Sequence, residues 1–318
     1  MGFPMTSARQ VVPGRTYLIS RRCTQRQMLL RPEPTVEQIY LYCLGEAAGR
    51  FDVTVHGFIA MSNHQHLVVR DNHGNFPEFL AHFHKMVAKA VNAFRGRWEN
   101  LWATEQPSVV YLVESADRFA KLVYLLANPV SDHLVERVTD WPGASSYGLV
   151  LSGRTMTIKR PRCFFREGGA MPDEVTLRLE RPQGFEGLTE AEWTAKVRDA
   201  VDDEERRARE KRRASGRGVL GRKAILRASP YDVPTSFEPR RRLRPHIACA
   251  NERLRTEELM SLAAFRTQRR VTLRRHLAGE RDLVFPYGTY LIRGIFLAAG
   301  PPPLSLCARA PSSARPTS

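Results

Sequence analysis

The chain has no C-x-x-C pair. Its five cysteines (Cys23, Cys43, Cys163, Cys249, Cys307) are scattered and odd in number. That spacing excludes a thiolate zinc cluster and fits a reducing compartment. No run of 18 apolar residues occurs, so no membrane span is expected. Met1 to Gln10 lacks an apolar core followed by a cleavage site, so secretion is not expected either. There is no internal repeat, which argues against a solenoid. Acidic residues are in short supply: 33 against 49 basic ones, a net charge of +16 over 318 residues. Apolar residues, at 42%, are plentiful enough for a real core, and the length suggests about two domains.

The excess charge is unevenly placed. Residues 1–150 hold 15 basic and 13 acidic side chains; residues 151–318 hold 34 and 20. A nearly neutral first half joined to a basic second half reads as a compact body with a polyanion-binding extension. Nucleic acid is the favoured polyanion, because neutralised phosphates release counterions. A membrane surface is the rival, and a basic balance alone does not choose between them.

Periodicity orders the first half. Thr16–Ser20 is a short β-prone run, and Val36–Arg50 has helical spacing at Ile39, Tyr40, Cys43, Leu44 and Ala47. Asp52–Met61 and His64–Arg70 read as strands of a hairpin turning at Ser62-Asn63. Phe79, Leu80, Phe83, Met86, Val87, Ala90, Val91 and Phe94 mark an amphipathic helix. Ser108–Glu114 is a further strand. Asp117–Asn128 is a helix, with Ser115 as its candidate cap and Pro129 as its stop. The resulting β-α-β-β-α-β-α order is that of an α+β, ferredoxin-like fold: an antiparallel sheet with helices on one face and the other face open for a site.

After Tyr147 the pattern weakens. Residues 151–190 are mixed, and Thr189–Arg213 reads as a charged helix. Arg240 to Arg244 form a second basic cluster, and Pro301–Ser318 reads as a disordered tail. The expected division is a body over 1–150, a basic linker and helical region over 151–244, a small accessory region over 245–300 and the tail over 301–318.

The sharpest chemical feature is Asn63-His64-Gln65-His66-Leu67-Val68-Val69. On a strand, residues i and i+2 share a face, so His64 and His66 project together while Leu67 and Val69 project to the other side. Paired imidazoles on one face suit a divalent metal. His82-Phe83-His84 is also H-x-H, but it lies in a helix. There the two rings stand about 200° apart, so they diverge. On the helix 117–128, Phe119, Leu122, Val123 and Leu126 gather on one side. Asp117, Lys121, Tyr124 and Asn128 gather on the other. Tyr124 is thus off the apolar stripe, and Asn128, one turn on, reaches toward whatever Tyr124 faces.

These residues resemble a family. Asn63-His64-Gln65-His66-Leu67, then Tyr124-Leu125-Leu126-Ala127-Asn128-Pro129-Val130, then Trp141-Pro142-Gly143-Ala144-Ser145-Ser146-Tyr147 are similar, in order, to the motifs of the HUH single-tyrosine transposases. The REP-associated tyrosine transposases are the nearest group. The resemblance covers residues 15–150, just under half the chain. It implies that His64, His66 and Asn128 ligate Mg2+ or Mn2+ and that Tyr124 is the nucleophile. The implied reaction is cleavage and rejoining of single-stranded or hairpin DNA through a 5′-phosphotyrosine, with a homodimer admitted, in the cytoplasm at the nucleoid. Lys121 would contact the scissile phosphate or extend to solvent. Beyond the stretch that the resemblance covers, Arg206, Arg207, Arg212, Arg213, Arg240, Arg241 and Arg242 are candidate DNA contacts, with a solvated helix face as the alternative reading. Gln65 departs from the pattern, since an apolar residue is usual there. The alternative reading is a non-catalytic DNA-binding regulator with the same fold. A third is a nuclease that uses water, with Tyr124 structural.

Overall fold

The structure, a computed structural model, describes residues 8–235, 245–290 and Gly300. The chain divides into two compact units, one over Gly14–Glu252 and one joining Met1–Pro13 to Arg253–Ser318. Among the described residues no helix is long and apolar enough to cross a membrane. The sequence-expected tail over 301–318 lies outside the described residues.

The larger unit is α+β. Its elements follow the expected order: β1 (Thr16–Arg22), α1 (Pro34–Phe51), β2 (Val53–Ala60), β3 (His64–Asp71), α2 (Phe76–Phe94), β4 (Ser108–Leu112) and α3 (Ser115–Leu126). A short α4 (Asn128–Ser131) and α5 (Tyr147–Ser152) follow. Then come a hairpin of β5 (Met156–Lys159) and β6 (Glu174–Leu177), the long α6 (Glu190–Ser215), α7 (Arg222–Arg227) and β7 (Ile247–Ala248). The main sheet runs β2-β3-β1-β4-β7, with β7 added in parallel to an otherwise antiparallel set.

Helices stand on both faces of this sheet. On one face Tyr17 meets Phe76 of α2 and Phe58 meets Tyr40 of α1. On the other, Leu18, Ile59, Val68 and Val110 form one cluster with Leu122, Val123, Leu125 and Leu126 of α3 and Trp193, Val197 and Val201 of α6. The face expected to be open is therefore roofed by α3, the helix that carries Tyr124. Consecutive apolar residues explain it. Leu67-Val68-Val69 and Phe58-Ile59-Ala60 are wholly buried runs, which place an apolar side chain on each face in turn. Fully burying each such side chain contributes roughly 1.5–3 kcal/mol.

One glycine sets how closely α3 approaches. A Cβ on Gly57 would lie 2.5 Å from Leu122 Cδ1 and 3.3 Å from Ser146 Oγ. Gly57 follows a register break in the β2–β3 pairing at Val55/Gly57. The N-terminus of α3 differs from expectation. Glu114, not Ser115, is its cap residue, and the Glu114 N–H donates to Asp117 Oδ2 at 3.0 Å. Asp117 is thereby held in the cap. The C-terminus differs too: α3 ends at Leu126, with Ala127 as its cap residue, and Asn128, expected at the end of the same helix, opens α4 with Pro129 in its first turn.

The second unit is built on α8 (Glu252–Leu277). Arg266 Nε donates to Ala8 O at 3.1 Å, and Val11 N–H donates to Gly288 O at 2.9 Å, tying the N-terminal strand of chain to the C-terminal segment. His276 packs edge-on against the buried Phe285.

Candidate functional site

Cross-strand register builds the site. In the β1–β3 ladder Ser20 faces His66 and Arg22 faces His64. The two imidazoles stand side by side with ring centroids 5.0 Å apart. Tyr124 comes down on them from α3, its ring 5.5 Å from that of His66 in an edge-on contact. Asn128, 3% exposed at the start of α4, puts Oδ1 at 3.3 Å from His64 Nε2. Lys121 lies one turn before Tyr124, its Nζ 5.6 Å from the phenol ring centre. The structure thus brings His64, His66, Tyr124, Asn128 and Lys121 to one place.

The hydrogen bonds orient the rings. His64 Nδ1 lies 2.7 Å from Asn63 Oδ1, which accepts only, so Nδ1 carries the proton. His66 Nδ1 lies 2.6 Å from Ser20 Oγ. Burial first, then His64 and Arg22, push the His66 pKa down to about 3, so this ring is neutral. A neutral imidazole that donates from Nδ1 presents Nε2 as a lone pair, which is the tautomer a metal ligand needs. In the neutral form of His64, two lone-pair atoms, its Nε2 and Asn128 Oδ1, face each other. Cis ligands of an octahedral cation with bonds of about 2.1 Å are about 3.0 Å apart, so the 3.3 Å spacing suits a shared ion. Outer hydrogen bonds from ligand histidines are the usual way such rings are held. The donor set therefore fits a divalent metal. Ser20 and Asn63 are the orienting residues that sequence reasoning missed. Asn63 was visible as part of the motif, whereas Ser20 is found only through strand register.

Tyr124 is 43% exposed. Burial, then the carboxylate of Asp132, raise its pKa, and Arg22 acts the other way. Beneath the site Gln65 points to the opposite face and joins a buried chain. Tyr40 Oη is 2.8 Å from Gln65 Oε1, Gln65 Nε2 is 2.9 Å from His84 Nε2, and His84 Nδ1 is 3.0 Å from Arg21 Nη1. The polar residue between the histidines thus finds partners.

The basic candidates separate. Arg206 and Arg207 form ion pairs with Asp203 and Glu204 of their own helix. Arg212 is buried and pairs with Glu136 at 2.5 Å. Arg213 is exposed. Arg240, Arg241 and Arg242 lie outside the described residues. A cluster not foreseen from sequence is Glu114, Asp117 and Cys249, whose ligand-type atoms lie within 4.8 Å of one another. Here Asp117 accepts from the N–H groups of Glu114 and Ala250, and Cys249 Sγ lies 3.6 Å from Glu114 Oε2. The group serves to cap α3.

No protein-family model and no curated protein matches the chain. Two solved structures are similar at a distance. A REP-associated tyrosine transposase bound to a REP hairpin is 18% identical with a TM-score of 0.39, over 46% of this chain and 84% of that one. A candidate transposase from Deinococcus radiodurans R1 is 17% identical with a TM-score of 0.27, over 37% of this chain and 93% of that one. Likenesses this distant assign no activity to the chain.

Proposed function

We propose that this protein cleaves and rejoins single-stranded or hairpin DNA, with Tyr124 as nucleophile and His64, His66 and Asn128 holding Mg2+ or Mn2+. Residues 1–150 would carry the chemistry and the basic region after them would carry DNA contacts. One observation supports this above the others: a half-exposed phenol stands edge-on to His66, whose ring is 5.0 Å from that of His64, and the amide oxygen of Asn128 lies 3.3 Å from His64 Nε2.

The chemistry follows from the groups. The Tyr124 oxygen attacks phosphorus and the P–O3′ bond breaks. The products are a 5′-phosphotyrosine and a strand with a free 3′-OH, to which the phenol's proton is balanced through solvent. Phosphodiester energy is conserved in the tyrosyl ester, so a second 3′-OH rejoins the strand by the reverse step. A bound cation would offset charge on the non-bridging oxygens. Lys121 adds positive charge over the phenol ring, while burial and then Asp132 hold the phenol protonated against the weaker pull of Arg22. Ser20 and Asn63 keep the ligand rings in register.

The test is covalent trapping. The full chain is incubated with Mn2+ and a labelled single-stranded hairpin, then denatured. The parent should retain label and Tyr124→Phe should not. Equal strand cleavage by both proteins would move the chemistry from Tyr124 to water, and binding with no cleavage by either would favour the regulator.

A further inference from the structure

A second feature lies beyond the metal and tyrosine. Near the end of α6, Arg209, Arg212, Arg213, Gly216 and Arg217 join Glu136 around a cleft of about 410 Å³. Arg209, Arg212, Arg213 and Gly216 recur at helical i, i+3, i+4 and i+7 spacing, so they form one stripe. Arg209, Arg213 and Arg217 are exposed, and no carboxylate among the described residues forms an ion pair with Arg213 or Arg217. Arg212 is 3% exposed. Its Nη2 is held by Glu136 at 2.5 Å, while its buried Nη1 has no hydrogen-bond partner. The one carboxylate is thus engaged, and four guanidinium groups leave a local surplus of three positive charges around a hollow. A buried guanidinium nitrogen without an acceptor is costly unless an oxygen reaches it.

The cleft also has a defined place. α6 packs on α4, and Leu220 and Gly221 donate to the carbonyls of His133 and Leu134 at 3.0 and 2.9 Å. His133 follows Asp132, whose carboxylate acts on Tyr124. The chain just after α6 is thus hydrogen-bonded to the chain just after α4, the helix whose first residue is Asn128 of the site.

We propose that this arginine cleft binds a backbone phosphate of the DNA strand that enters the Tyr124 site. The identity of the strand rests on the reading above; the anion chemistry rests on the cleft alone. Guanidinium forks suit the non-bridging oxygens of a phosphodiester. The paired Arg206 and Arg207, facing their own carboxylates, are the contrast within the same helix.

The experiment measures anisotropy of a labelled single-stranded hairpin with the full chain in EDTA, across a salt series. Arg213→Ala/Arg217→Ala should weaken binding about tenfold and lower the slope of log affinity against log salt by about 1. Arg206→Ala/Arg207→Ala should change affinity less than about twofold. Inorganic phosphate at matched ionic strength should compete with DNA on the parent and not on the first double variant. Equal losses from both double variants would reduce the cleft to diffuse surface charge and overturn the proposal, as would no loss from either. Phosphate that raises the parent's melting temperature while the variant keeps full DNA affinity would make this a free-anion site and overturn the strand assignment. The catalytic reading fails separately: a parent that forms no covalent adduct with Mn2+, yet loses DNA affinity in Arg213→Ala/Arg217→Ala, keeps the cleft and rejects the nucleophile.

Discussion

Two H-x-H segments sit within twenty residues of each other, and the fold uses them in opposite ways. His64 and His66 lie on β3 and stand together, with ring centroids 5.0 Å apart, beside a phenol and an amide. His82 and His84 lie on α2 and part company. His82 Nε2 meets Glu46 Oε2 at 2.6 Å and packs on Phe51. His84, 2% exposed, turns inward to Gln65, Arg21 and the Trp102 ring. The composition of the two segments is alike. What differs is the backbone period, 2 on a strand and 3.6 on a helix. A shared face brings two rings together; opposed faces give one ring hydrogen-bonded to the buried Glu46 and one ring in the core.

The strongest test of that contrast exchanges alanine for each pair. His64→Ala/His66→Ala should cut metal-dependent strand cleavage by on the order of 10³-fold and lower the melting temperature less than loss of the α2 pair does. His82→Ala/His84→Ala should do the reverse. Removing His84 takes a partner from the buried Gln65 amide and the half-buried Arg21 and leaves a cavity, so unfolding free energy should fall by about 2–4 kcal/mol. The protein that stays folded should cleave at the parental rate. Thermal melts and adduct yield together read both variants, and identical profiles would erase the distinction.

Acid should act alike on the buried imidazoles of core and site, since burial also lowers the pKa of His66. Burial lowers the His84 pKa well below its ordinary value. It also takes that of His56 down to about 4, against a weaker opposing hydrogen bond to Glu180 O. These rings bind protons less well folded than unfolded. Their contribution to stability is complete above about pH 6.5 and is lost as pH falls toward 4. His56 alone should account for about 3 kcal/mol of that loss. Urea titrations at pH 7 and pH 4 measure it, and His56→Gln should flatten the dependence.

A smaller effect separates orienting residues from ligands. Ser20→Ala leaves both imidazoles in place but frees the His66 ring to turn. Mn2+ affinity should fall about tenfold by titration, with stability unaffected. An unchanged affinity would show that Ser20 is a bystander.

Much of this arrangement was legible before any coordinates. The order of elements from β1 to α3 follows from periods 2 and 3.6, and Tyr124 stands off the apolar stripe of α3 as the spacing predicts. The two-sided burial of the sheet was written in Leu67-Val68-Val69, a run without alternation, yet it is easily taken for a one-faced strand. The packing of α6 was hidden by its sparse apolar residues, Trp193, Val197, Val201 and Ala208 among many charges. Ser20 carries no local signal, because its role depends on a partner 46 residues away. The Glu114 cap was missed for a simpler reason: serine is the more frequent cap, and here the acidic residue before it takes the position. The arginines of α6 look uniform in sequence. Pairing with Asp203 and Glu204 or facing the cleft is decided by helical phase and by Glu136 from another segment.

In the proposed site two strand imidazoles, one amide and one phenol surround a single cation. Electron spin-echo spectroscopy of Mn2+ added to the full chain tests it directly. Nitrogen couplings from two imidazoles are expected in the parent and in His82→Ala/His84→Ala, and their disappearance in His64→Ala/His66→Ala. Couplings that persist without His64 and His66, or that never appear in the parent, would contradict it.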